Sequence, residues 1–203
     1  MNRILLAGLL GALIGVLALA AFRLAFVPPG QAVHHHANFA VFVEGERLDL
    51  SGNEFMAELA ACGLPHEELL PLERVHLHDN VPDVAHVHHE GVTWGHLFAN
   101  LEMGLGDGYL VTRDGRIHAN GEGGTLKFIL NGSPEPSVHN KLIRSEDLLL
   151  ISYGPESIDG IVRDQLPEVP ANAHVYNEVP DPEGCAGPDE PTFGERLRHA
   201  FIG

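Results

Sequence analysis

His34-His35-His36-Ala37-Asn38-Phe39-Ala40-Val41-Phe42-Val43 decides how this chain is read. Successive side chains of a strand point to opposite faces, so residues two apart share a face. His35, Ala37, Phe39, Val41 and Val43 then lie on one side, and His34, His36, Asn38, Ala40 and Phe42 on the other. Period-two alternation over this length predicts a strand whose apolar set turns one way and whose paired histidines turn the other. Glu44-Gly45 reads as a turn into a second strand, Arg47 to Leu50.

The same pattern recurs further on. His76/His78 and His86/His88 sit in two short strand candidates, Arg74–His78 and Val84–His88, joined by Asp79-Asn80-Val81-Pro82-Asp83. Val75 and Leu77, like Ala85 and Val87, take the opposite parity. If the two strands pair as a hairpin, His76 faces His86 or His88, and all four imidazoles share one face. Neutral imidazole suits Zn²⁺, Cu²⁺, Ni²⁺ and Fe²⁺, and three or four such nitrogens complete a zinc site. His76, His78, His86 and His88 are therefore the leading candidate ligands, with His34 and His36 next, for one or two zinc or copper ions. Asp79, Asp83 and Glu90 stand near enough in sequence to orient imidazoles. His35 falls on the apolar parity. His66, His96, His118, His139, His174 and His199 are scattered and read as surface residues.

Other elements frame these strands. Ser51 and Glu54 offer a capping box for a helix at about 53–62. Thr93 caps a helix whose Trp94, Leu97, Phe98 and Leu101 recur at helical spacing, with Gly104 as its stop. Tyr109–Thr112 and Arg116–His118 form a hairpin about Asp114-Gly115, and Leu126–Leu130 and Leu148–Tyr153 are the most apolar strands. A short helix at about 156–166 ends the body. The fold class expected is α+β: a small mixed or antiparallel sheet with two to three short helices, after one N-terminal transmembrane helix.

Three sections follow. Residues 1–30 hold an uninterrupted apolar run, Ile4 to Phe22, long enough to cross a bilayer as an anchor; Ala18-Leu19-Ala20 leaves a cleaved signal peptide as the alternative. Both readings put residues 31–166, the His-rich domain, on the extracytoplasmic side, periplasmic or at the cell surface. Residues 167–203 read as an acidic Pro/Gly-rich tail. A short amphipathic helix with Phe193, Leu197 and Phe201 on one side ends it. Cys62 and Cys185, the two cysteines, are expected to form a disulfide in that compartment.

His34-His35-His36-Ala37-Asn38-Phe39, His76-Leu77-His78-Asp79 and His86-Val87-His88-His89-Glu90-Gly91-Val92-Thr93 resemble the signatures of an uncharacterised group of exported, membrane-anchored archaeal and bacterial proteins. Those signatures have the form H-x-H-A-D/N-F, H-L-H-D and H-V-H-x-E-G-V-T. The resemblance runs on through Phe128–Gly132 and Ile151–Gly154 and implies an exported, anchored module, without an activity. The helix at 94–103, followed by Leu126–Gly132 and Leu148–Gly154, is similar to the closing half of β-grasp domains.

Charge narrows the partners. Beyond residue 30 there are 28 acidic residues against ten basic ones, a surface that repels phosphate backbones and argues against nucleic acid. No G-x-G-x-x-G loop, Walker loop or G-x-S-x-G elbow occurs. The leading reading is a non-enzymatic protein that captures, buffers or delivers zinc or copper. The alternatives are a three-histidine metalloenzyme, with Glu90 or an aspartate activating water, and an accessory subunit of a membrane-protein complex.

Overall fold

A computed structural model describes residues 3–26, 33–56, 74–179 and 193–202. Helix α1, Arg3–Phe26, is apolar on every side. Its span Leu6–Phe26 has a mean hydropathy of 2.3 and only 6% of it is buried, so it is not the core helix of a soluble domain. Length and composition suffice for a membrane span or a signal sequence.

The chain divides into two units, and residues 33–187 form the larger. At its centre is β1, His35–Val43, as the alternation predicted. Glu44 and Gly45, both in the left-handed region, turn it into β2, Glu46–Arg47, shorter than expected. Strands β3, Val75–His76, and β4, Val84–Val87, pair antiparallel, and β4 pairs antiparallel with β1. Helix α2, Trp94–Asn100, follows. A small antiparallel sheet of β5, Gly104–Leu105, β6, Tyr109–Val111, and β7, Ile117–Ala119, leads to β8, Thr125–Leu130, and β9, Ser133–Glu135. Strand β10, Leu148–Gly154, closes the sheet by running parallel to β1 and antiparallel to β8.

The main sheet is thus mixed, with order β3-β4-β1-β10-β8-β9 and β2 paired to β1. The α+β expectation holds, with a mixed main sheet, a small antiparallel sheet and a few short helices. Asn131 and Gly132, both at positive φ, make the tight β8–β9 turn that Asn-Gly favours.

Both sheet faces are covered, and this positions the site. One face packs Ala37, Phe39, Val41, Phe128, Leu149 and Ile151 against Trp94, Leu97, Phe98 and Leu101 of the α2 segment. The N-terminus of α2 is held by a reciprocal cap: the Thr93 hydroxyl accepts from the His96 amide, and His96 Nδ1 accepts from the Thr93 amide. His96 is therefore a capping residue rather than a bystander. Thr93→Ala should cost about 1 kcal/mol, read as a lower denaturant midpoint at unchanged slope.

The opposite face is divided. Ala40, Phe42, Ile129 and Leu150 are covered by Ile161 of helix α3, Ile158–Asp164, and by Val169 beyond the 3-10 turn Leu166–Glu168. The other end of that face carries the histidines. Helix α4, Ala173–Glu178, packs on β1 there.

Three expectations change. Residues 53–55 form a single 3-10 turn and Met56 is extended, bridging Leu77, so no helix starts at 53; the rest of the expected helix lies outside the described residues. Leu101 caps α2 and Glu102 takes the left-handed conformation, so the helix ends before Gly104, which opens β5 instead. Where composition placed a loose tail from 167, Val169 and Ala173 are buried and α4 is docked by specific hydrogen bonds. The expected Cys62–Cys185 disulfide lies outside the described residues.

In the second unit, helix α5, Phe193–Ile202, packs against α1, with Ala20 and Ala200 buried. Phe193, Leu197 and Phe201 remain exposed.

Candidate metal centre

Each H-x-H pair falls on the sheet face away from α2, because its alternate residues belong to the apolar core. The β3–β4 register sets His76 opposite His86, and the β4–β1 register sets His86 opposite His36. Three adjacent strands therefore place His76, His86 and His36 in one row across the sheet. His78, His88 and His34 extend from the same strands. His36, His76, His78, His86 and His88 are buried, whereas His34 is exposed.

His86 is the hub. Its Nδ1 lies 2.7 Å from His36 Nε2. Its ring centre is 4.3 Å from that of His36 and 3.4 Å from that of His78, and its plane lies within 9° of that of His76. His34 contacts His36 edge-on at 4.7 Å and stacks on His88 at 5.2 Å. His88 in turn stacks on His76 at 4.9 Å. Ligand atoms of His34, His36 and His86 all come within 4.8 Å of one another, and this cluster, two of its rings buried, could hold a metal ion. Two nitrogens about 2.05 Å from a tetrahedral ion stand about 3.3 Å apart, so the His36–His86 pair would open by about 0.6 Å to admit one.

Neighbours orient two of the rings. Asn177 Oδ1 accepts from both the His36 amide, at 2.9 Å, and His36 Nδ1, at 2.8 Å. With its proton held on Nδ1, His36 turns the Nε2 lone pair toward His86. His78 Nδ1 donates to Asp79 Oδ2 at 2.9 Å, so Nε2 is the nitrogen it could offer an ion. A carboxylate or carbonyl partner behind a ligating imidazole fixes its tautomer and raises its basicity. Asp79 reaches this position from a left-handed turn, Asp79-Asn80, that also carries the chain from β3 toward β4.

Electrostatics keep the hub uncharged. Burial, reinforced by His78, His36, His76 and His88, holds the His86 imidazole far below its ordinary value. It stays neutral, the form that binds metal. His35, on the core side of β1, is also lowered by burial, against the opposing effect of its bond to the Ile143 carbonyl, 3.2 Å away. It takes no part in the cluster.

Of the three carboxylates expected nearby, only Asp79 reaches a cluster histidine. Asp83 pairs with Arg47 at 2.8 Å, and Glu90 is exposed. Sequence reading missed Asn177 and Tyr176, whose ring lies 5.8 Å from His36 and 6.1 Å from His86. Ala173–Glu178 is a six-residue helix inside a Pro- and acid-rich stretch, and only its short apolar-polar pattern marks it. Asn38 was likewise not recognised: its Oδ1 accepts from the Asn172 and Ala173 amides and its Nδ2 donates to Asn172 Oδ1, which docks α4 beside the cluster. A cleft of about 420 Å³ lined by Leu48, Leu50, Phe55, Met103, Arg113 and His118 includes none of the six histidines.

No family model, curated protein or solved structure matches this chain.

Proposed function

We propose that this is an extracytoplasmic metal-binding protein that captures, buffers or delivers Zn²⁺ or Cu²⁺, held to the membrane by α1. The observation that carries the reading is the gathering of inward-facing imidazoles on three adjacent strands, two of them oriented from behind by Asp79 and Asn177. An all-imidazole set suits zinc and divalent copper. Met103 belongs to the other face, so the set lacks the thioether that would favour monovalent copper. The exposed apolar surface of α1 supports the anchor.

At a three-histidine ion a nearby base can take a proton from bound water. Asp79 is bonded to His78, Asp83 to Arg47, and Glu90 faces solvent. Among the described residues, these three carboxylates are thus engaged by other groups or turned to solvent, and the binding reading is put first.

The test is calorimetric titration of the chelator-treated full chain in detergent with Zn²⁺ and with Cu²⁺. His76→Ala together with His86→Ala should abolish tight binding, and His118→Ala with His139→Ala should leave it intact. Equal affinity in the two double variants would remove the proposed site.

A further inference from the structure

We infer that the histidine face holds two ions rather than one, sharing His86 between them. The inference rests on the metal-binding reading and adds a second position to it. Six imidazoles exceed the four that a tetrahedral zinc ion takes. His34, His36 and His86 converge as one set. His76, His78 and His88 are the remaining three: the His78 ring lies 3.4 Å and the His76 ring 6.2 Å from that of His86, and His88 stacks on His76.

Imidazole carries its two nitrogens on different sides of the ring, so one ring can serve two ions. His86 Nδ1 is directed at His36 Nε2. Its Nε2 is therefore on the side of the ring away from His36. His78 offers Nε2, because its Nδ1 is bonded to Asp79. The two positions differ in kind. The outer ion takes three histidines, one of them the exposed His34, and keeps an open place for water or an exchanging ligand. The inner ion takes His76, His78, His88 and His86, all buried, and its shell is closed.

Charge favours a bridge. Two divalent ions among neutral rings are costly to bury. On taking the second ion, His86 gives up its remaining ring proton to solvent, and the resulting imidazolate lies between the two cations. Asp79 adds a negative charge behind His78.

The experiment uses the full chain in detergent, stripped with chelator, loaded with Zn²⁺ and desalted, with metal per chain measured directly. Two ions per chain are expected, one passing quickly to a chromophoric chelator and one slowly. His34→Gln, at an exposed position, should lower the count from two to one by removing the fast ion. His88→Gln should remove the slow one. Loaded with two Cu²⁺, the wild-type chain should show fewer unpaired spins than its copper content, because a bridging imidazolate couples the pair. One ion per wild-type chain would overturn the second position and leave the metal-binding reading standing. No bound ion would overturn both. Two coppers with the full spin count would overturn the shared ligand.

Discussion

Brought from pH 6.5 to 4.5, the metal-free protein should lose about 2 kcal/mol of folding stability through His86 alone. In the unfolded chain this histidine takes up a proton near its ordinary value of 6.5. Folded, it is held far lower, first by burial and then by His78, His36, His76 and His88. The unfolded state therefore binds more protons at every pH below about 6.5, and stability falls as pH falls through that window. The stabilised carboxylates titrate later. Asp114, held down to about 2 first by the Thr112 hydroxyl, lets stability fall only below its ordinary value of 3.8. Denaturant unfolding at intervals between pH 7.5 and 4.5 should show the slope, and His86→Gln should flatten it. A pH-independent midpoint across that range would mean that His86 is not buried as a neutral ring.

Asn38→Ala should cost about 2–4 kcal/mol and should damage the proposed metal site without touching a ligand. The side chain is 2% exposed. Its Oδ1 accepts from the Asn172 amide at 2.9 Å and the Ala173 amide at 2.7 Å; its Nδ2 donates to Asn172 Oδ1 and the Asp83 carbonyl. Truncation leaves buried donors unsatisfied, at about 1–3 kcal/mol each. It also frees the start of α4, which carries Asn177 to His36. Loss of such an outer partner typically weakens metal affinity about 10–100-fold. Unfolding and zinc titration of the same variant should therefore both move. A change of less than 1 kcal/mol would show that α4 is held by something other than Asn38.

Much of this was legible because strand periodicity is short. The parity of His34–Val43 assigns each side chain to a face, and the observed cores follow it: Ala37, Phe39 and Val41 against Ala40 and Phe42. The His76–His86 pairing was within reach for the same reason. The α2 helix was legible from Thr93 and its apolar spacing. What failed depended on contacts distant in sequence. Ser51 and Glu54 look like a capping box, but Met56 is drawn into a bridge with Leu77, and one 3-10 turn is all that precedes it. Composition averaged over 167–190 hid α4, whose stability comes from docking on Asn38 rather than from its own six residues. Its contribution to the site, Asn177, was hidden with it.

The pairing of β1 with β10 and the reach of Asn177 to His36 also set an order in time. His36 and Asn177 are 141 residues apart. A chain made from its N-terminus presents all three histidine pairs well before the strand that flanks β1 and the helix that fixes His36 have been synthesised. Contacts of such separation form late and slowly, because the intervening loop must close before they yield any stabilisation. An ion met early would find loose pairs of imidazoles, and the complete centre would form only as the last strand and helix settle. Metal retention would then distinguish finished molecules from unfinished ones, so that loading reports on maturation as well as on supply.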